Sequence, residues 1–512
     1  MPRTLALDGG TPVRENMLLF GAPNFGEEEI AEVVATLRSG WISTGPKTKK
    51  FEEQFADYVG AKYAVGLNSC TAGLHLSLVT LGVGPGDEVI VPPLTFGATA
   101  NVVEHVGAKP VFADIDPTTL CIDPKQIEKA TTPRTKVVIP VHYGGMPCAM
   151  DEIHAIAAAH HLTVVEDAAH AIGTKYKGRK VGALNPLTNF SFYANKNLTT
   201  AEGGMVTTDD AALEAKLRVY HLHGLSRDAW KRYHTKEFSM SEIVVPGYKY
   251  NMTDLQASLG LHQLAKQEQF IARREDLAGF YDEAFSEFDG IVRAVPRPHD
   301  GQNRHVLHLY VLLLDLARLK VDRNQFISAL LAENIGVSMH FWPLHMHPFY
   351  REKYGYQPDD FPVARRVGES VLSLPLVPQM SRADAQDVVD AVRKVVEAYS
   401  NEGWTSSSRR RAVASDTSAA QVQTVDPRPS LTPSSSGRRH HRHRPWYKRI
   451  VPSWSRQART AVVLALVLLL AALVIGIVIG AANIAPRKKG AMIENHVAWV
   501  MPAGSRAVIS EQ

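Results

Sequence analysis

Short apolar runs alternate with helical patterns along residues 1 to about 402, and that alternation leaves few ways for the chain to fold. "DEVIVPP" at 87–93, "KPVFADI" at 109–115, "TKVVIPVHY" at 135–143 and "LTVVEDAA" at 162–169 read as strands. Helix patterns such as "TAGLHLSLVTLG" at 71–82 and "MDEIHAIAAAHH" at 150–161 lie between them. Short strands that are apolar throughout, separated by helices, predict a parallel sheet covered on both faces. From about residue 265 the pattern changes. The amphipathic helix "EQFIARREDLAGFYDEAFSEF" is followed by "VLHLYVLLLDL" (strand), "RNQFISALLAENI" (helix) and "DAQDVVDAVRKVVEAYS" (terminal helix). The expected organisation is a large α/β domain over 1–264 and a smaller α+β domain over 265–402.

Past Trp404 the composition shifts to Ser, Thr, Pro and Arg with almost no large apolar residues. Such a stretch buries too little surface to offset its ordering entropy, so 403–460 reads as a disordered basic linker. Ala461 to Ala482 is uncharged and apolar throughout. That length spans a bilayer as one helix, and 461–484 is read as a transmembrane segment followed by a short tail, 485–512. Eight Lys and Arg lie between Arg438 and Arg459, against Arg487, Lys488 and Lys489 after the span. The positive-inside rule then leaves the body in the cytoplasm.

Charge follows the same division. Residues 405–512 hold 16 Lys and Arg against 4 Asp and Glu, a net of +12, while the whole chain is +4, so residues 1–404 carry −8. The body therefore gives no reason to expect a nucleic-acid partner. Three scattered cysteines, Cys70, Cys121 and Cys148, with no CxxC spacing argue against a disulfide framework and against a zinc or iron–sulfur site. The N-terminus lacks a long apolar run, so no signal peptide is expected.

Four places carry chemistry. In "NFSFYANKNLTTAEGGMVTTDD" (189–210), Lys196 sits in a polar turn between the apolar strand "FSFYA" and a Gly-Gly strand start. A lysine held there is suited to a Schiff base with a carbonyl cofactor; the alternative is a structural or surface lysine. In "VVEDAAHAIG" (164–173), Asp167 closes a buried strand, where doubly wound folds place ligand groups. Its carboxylate is suited to pair with the protonated ring nitrogen of pyridoxal phosphate, or else it caps a helix over "AAHAIG". "NSCTAGLHL" (68–76) opens a helix with small polar residues directly after a strand, a phosphate site or an ordinary capped helix. In "VPPLTFGATANVV", Phe96 just past a strand end is placed to stack on a cofactor ring or to join the core. "GVGPGD" (82–87) precedes a strand and is a turn, not a dinucleotide fingerprint. His340, His345 and His347 have no carboxylate or cysteine beside them, so no metal site is expected.

Taken in this order, these segments, with "GWISTGPKTKKFEE" (40–53) and "GYKYNMTDLQASLG" (247–260), resemble the DegT/DnrJ/EryC1/StrS family of sugar aminotransferases. The resemblance covers about residues 3–400 and implies the PLP-dependent type I (aspartate aminotransferase) fold. It implies that Lys196 binds the cofactor covalently and that Asp167 pairs with the ring nitrogen. His170 would contact the cofactor on the same face and Phe96 would stack on the ring. Thr71, Ala72 and Ser191 would bind the phosphate, joined by Asn251 of a neighbouring subunit, so the active site needs a homodimer. A lysine stands where the family's dehydratase branch has histidine, which implies transamination. "GWISTGPK" and "GVSMHFWPLHMHPFYREKYGY" look most like the enzymes that aminate carbon 4 of a UDP-linked 4-keto sugar, with glutamate as donor. Tyr193, where many relatives have histidine, and His340 are the candidate sugar contacts. Two other readings stay open. One is a carbon-3 sugar aminotransferase or related synthase of the same fold. The other is a membrane-tethered regulatory protein without catalysis, against which Lys196 and Asp167 together argue.

Overall fold

The computed structural model describes residues 3–226, 242–298, 301–401 and 404. The transmembrane reading of 461–484, the tail 485–512 and all of the linker 403–460 except Trp404 lie outside them. Trp404 belongs to the folded body. Its ring stacks on Phe288 at 4.8 Å and is buried. Among the described residues no helix is long and apolar enough to cross a membrane.

The large sheet has seven strands: β1 (Tyr63–Leu67), β2 (Glu88–Val91), β3 (Lys109–Phe112), β4 (Thr135–Val138), β5 (Thr163–Asp167), β8 (Leu187–Ser191) and β9 (Gly204–Thr208). A small antiparallel hairpin, β6 (Lys175–Tyr176) and β7 (Arg179–Lys180), stands apart from them. The order across the sheet is β1-β9-β8-β5-β4-β2-β3. The sheet is mixed rather than wholly parallel, because β9 runs antiparallel to both of its neighbours. The other six strands share one direction, so β1, β2, β4, β5 and β8 all end at the same edge of the sheet.

Apolar residues on both faces of these strands explain the helices on both sides. On one face Val65, Val91, Val137, Val165 and Val206 pack against α3 (Cys70–Thr80), α4 (Ala98–His105) and α7 (Ala211–Tyr220). On the other, Ala64, Phe190 and Met205 meet α2 (Pro46–Val59) and α8 (Asp254–Ala265), while Ile90, Val138 and Val164 meet α5 (Pro124–Ala130) and α6 (Met150–Ala159). Helix α1 (Glu27–Ser39) lies along α8. The run "FSFYA" was expected as strand, but β8 stops at Ser191. The Phe192 carbonyl is taken by Thr200 N at 3.0 Å and Thr199 Oγ1 at 3.1 Å, which turns the chain out of the ladder.

The second sheet orders β10 (Val292–Ala294), β11 (Tyr310–Leu314) and β12 (Val371–Leu374), antiparallel throughout. Its core is built with α9 (Gln267–Phe285), α10 (Arg323–Ala332) and α13 (Arg382–Tyr399), through Leu277, Phe326, Val388 and Val392. Two further helices, α11 (Pro348–Tyr354) and α12 (Pro362–Ser370), lie between α10 and β12 in the chain.

The N-terminal arm, counted with 1–264 from the sequence, packs on this second core instead. Leu5 is buried in it. Glu333, fully buried, accepts from Ala6 N at 2.8 Å and Val13 N at 2.9 Å, and pairs with buried Lys394, whose Nζ also reaches the Thr11 carbonyl at 2.7 Å. A buried pair with its remaining bonds satisfied holds the arm in one place. The arm then bonds Leu18 N to Asn334 O at 2.9 Å and leads Phe20 onto His340, ring centroids 5.4 Å apart.

Candidate active site

The shared strand edge gathers four chain segments. The turn after β8 brings Lys196, whose N–H donates to the Tyr193 carbonyl at 2.9 Å. The end of β5 brings Asp167, and the chain after β2 brings Thr95 from its loop and Thr99 from the first turn of α4. Helix α3 begins there too, capped by Ser69, whose hydroxyl accepts from Ala72 N at 3.1 Å. The opening residue of β9, Gly204, faces that helix start. A Cβ on it would meet Ser69 and Cys70 backbone atoms at 2.4–2.6 Å, so only glycine lets the strand and the helix end approach this closely.

Lys196 is half-buried, and burial lowers its pKa to about 8, with the charge of Asp167 pulling the other way. Asp167 is buried, which raises its pKa, while the hydrogen bond from Ala169 N, the Thr99 hydroxyl and the Lys196 charge oppose that rise. Its Oδ2 accepts from Thr99 Oγ1 at 2.8 Å, and Thr99 Oγ1 lies 2.8 Å from Thr95 Oγ1. Its Oδ1 accepts from Ala169 N at 3.1 Å. No helix follows Asp167; the chain turns, with Ala171 N bonded to Ala168 O and Thr174 N to Ala171 O. The helix-cap reading therefore fails. Burial and the charge of Asp167 push the Cys70 thiol well up, which keeps it protonated and no nucleophile.

Three imidazoles line the same region. His170 lies 4.3 Å from His308 and 6.4 Å from His340 between ring centroids, and stacks on Phe341 at 6.0 Å. Burial holds all three well below the ordinary histidine range. Tyr143 donates its hydroxyl to the His340 carbonyl, and His340 Nδ1 lies 3.0 Å from Ser373 Oγ.

The other expected residues divide. Ser191 ends β8 in register with Gly204, beside the Lys196 turn. Thr71 is half-buried at the start of α3, but Ala72 is buried and its N–H is already spent on the Ser69 cap, so Ala72 offers no free donor to a phosphate. Phe96 is 66% exposed, which excludes the core alternative; its ring stands 6.2 Å from Phe341. Tyr193 is exposed near Lys196. Asn251 bridges to Leu67 and donates to Thr44 Oγ1 at 2.7 Å within the same chain. His345 and His347 each bond a backbone carbonyl, Pro358 and Trp342. Sequence reasoning missed Thr99, Asn197 and His308. For His308 a signal existed, a lone imidazole inside the apolar run "VLHLYVLLLDL".

The donor set fits pyridoxal phosphate. A primary amine near neutrality suits the aldehyde, a buried carboxylate suits the ring nitrogen, and a helix start with Thr71 and Ser191 nearby suits the phosphate. Asn195 Oδ1, in the residue before Lys196, is buried with no hydrogen-bond partner among the described residues.

Comparison with known proteins agrees. The family model described as the DegT/DnrJ/EryC1/StrS aminotransferase family matches residues 23–393. Spore coat polysaccharide biosynthesis protein SpsC of Bacillus subtilis is 53% identical over 385 residues, covering 75% of this chain and 98% of that protein. The PLP form of a putative sugar aminotransferase, Spr1654 from Streptococcus pneumoniae, superimposes with a TM-score of 0.68 at 36% identity, over 75% of this chain and 99% of that one. DesI, solved in the presence of its TDP-sugar product, superimposes with a TM-score of 0.69 at 31% identity, over 81% and 99%.

Proposed function

The chain belongs to the DegT/DnrJ/EryC1/StrS aminotransferase family and is a PLP-dependent sugar aminotransferase, and from that premise we propose that it aminates a nucleotide-linked keto sugar, a UDP-linked 4-keto sugar, with glutamate as donor. The observation that carries the transamination is the Lys196 amine, brought by burial to a pKa of about 8, with the Asp167 carboxylate close enough to oppose that fall at the common end of the strands. The TDP-sugar product of DesI and the polysaccharide role of SpsC support a nucleotide-linked sugar and a cell-surface product.

When bound, the cofactor supplies a protonated pyridine ring that draws off the electron pair left as a proton leaves the donor's α-carbon. Lys196 Nζ would bind the cofactor carbonyl and would serve as the base that takes that proton. Asp167, fixed in aim by Thr99 and Ala169, would hold the proton on the ring nitrogen. Thr71 and Ser191 would hold the phosphate, His170 and Phe96 would contact the ring, and Tyr193 and His340 would face the sugar.

The test is a panel of UDP- and TDP-linked 3-keto and 4-keto sugars with glutamate, read by product mass. Amination of a UDP-linked 4-keto sugar is the expected result. Turnover only of TDP-linked or 3-keto sugars would overturn the substrate assignment and leave the aminotransferase standing.

The working form is a homodimer tied to the inner membrane face by 461–484. Ile30, Val34 and Leu37 on α1 share one helical face and are exposed, with Trp41 and Ile42 exposed just beyond. A second copy covers that apolar stripe, and Asn251 reaches the partner's phosphate. Since Trp404 seals the body, a chain ending there is expected to be active, dimeric by sedimentation and free of membrane. An inactive or aggregated truncation, with full-length protein active in detergent, would sink the tether; a fully active monomer would sink the shared site.

A further inference from the structure

Asn197, inside the Lys196 motif, and His308, outside every motif, were given no role from the sequence, yet both are buried. Asn197 directly follows Lys196. Its Nδ2 donates to the Val306 carbonyl at 3.2 Å, which decides which way the amide faces. The amide oxygen then meets His308 Nδ1 at 3.2 Å. An amide oxygen only accepts, so the His308 proton sits on Nδ1. His170, whose ring lies at 37° to that of His308, has the opposite tautomer. Gly144 N donates to its Nδ1 at 3.2 Å, so its proton sits on Nε2. A second proton on His170 would set an N–H against the Gly144 N–H, and the ring stays neutral.

We propose that Asn197 and His308 are positioning residues for Lys196: the Asn197 amide ties the lysine-bearing turn to segment 306–308 of the second domain, and the His308 ring backs the His170 ring. The proposal rests on Lys196 being the cofactor lysine. The turn is already closed on one side by the Lys196–Tyr193 bond, and Asn197 closes it on the other. Lys196 is faced by Asp167 and Cys70, and its charge is felt at His170, His308 and His340. His308 is faced in addition by Arg274 of α9. Loosening the turn admits water to Nζ, and its pKa then climbs from about 8 toward the free-lysine value of about 10.4.

The test uses cofactor-free full-length protein in detergent. Pyridoxal phosphate is added at a series of pH values, and the visible absorbance of lysine-bound cofactor gives the capture rate. Only the neutral amine adds to the aldehyde, so capture in the unmodified protein rises with a midpoint near 8. Asn197→Ala and His308→Leu are expected to raise that midpoint by about one pH unit, tenfold in amine acidity. His308→Asn keeps a donor at the Nδ1 place and should restore the normal midpoint. His308→Gln, with its donor at the Nε2 place, should not. Those two variants decide the matter if the leucine variant fails to fold. Normal midpoints in Asn197→Ala and His308→Gln, with normal circular dichroism, overturn the proposal. Normal capture by Lys196→Ala would instead overturn the cofactor-lysine assignment, a separate outcome.

Discussion

Lys196→Ala is expected to lower the glutamate half-reaction by about 10⁴-fold, at the upper end of what loss of a positioned proton-transfer group costs. Burial brings the amine to a pKa of about 8, so a neutral fraction is present at neutral pH that the alanine variant lacks. Neither His170 nor His340 can take over. Burial and the geometry around them hold both rings neutral and poorly basic, His340 at about 3. Stopped-flow absorbance after mixing with glutamate measures the step, and the fold is checked by melting temperature. A rate within tenfold of the unmodified enzyme would remove Lys196 from the chemistry.

Asp167→Asn is expected to leave the fold intact and to slow turnover by about 10²- to 10³-fold, the cost of losing one charge-stabilising contact in a dry site. The variant is nearly isosteric. With its oxygen toward Ala169 N, its amide N–H₂ faces Thr99 Oγ1, and the Thr99–Thr95 hydroxyl pair reverses its direction to accept. Local structure therefore survives while the negative charge does not. A neutral amide cannot hold the proton on the ring nitrogen, so kcat should fall far more than cofactor affinity. Near-normal kcat would reduce Asp167 to a residue that shapes its turn.

The strands of the large sheet were legible because each is a short apolar run, and Val164 and Val165 show why, since successive residues of β5 enter different cores. The direction of β9 was not legible. "GMVTT" carries no mark of orientation, which is set by the turn that Thr199 and Thr200 fold onto Phe192. Lys196, Asp167 and His170 stood out through their local motifs, each within one turn. Asn251 also stood out, but its side chain is held by Thr44 of its own chain, and nothing within one chain tests its expected reach to a partner. His308 escaped notice because a lone histidine in an apolar run reads as core, and its partner Asn197 is 111 positions away. The placing of the N-terminal arm was equally hidden. It depends on Glu333, more than 300 residues along the chain, and no local periodicity announces such a bond.

That last contact orders events in time. A ribosome delivers Ala6 and Val13 first, but the carboxylate that receives their N–H groups comes with Glu333, and its cation with Lys394. The opening segment must therefore wait, unattached, while almost the whole body is synthesised. Phe20 cannot settle on His340 until the second core has closed. The large sheet can form as its strands emerge, but the wall of the active site is completed from both ends of the body at once, and only near the end of its synthesis. A nascent chain halted anywhere before Lys394 holds Lys196 and Asp167 in hand and still lacks a finished enzyme.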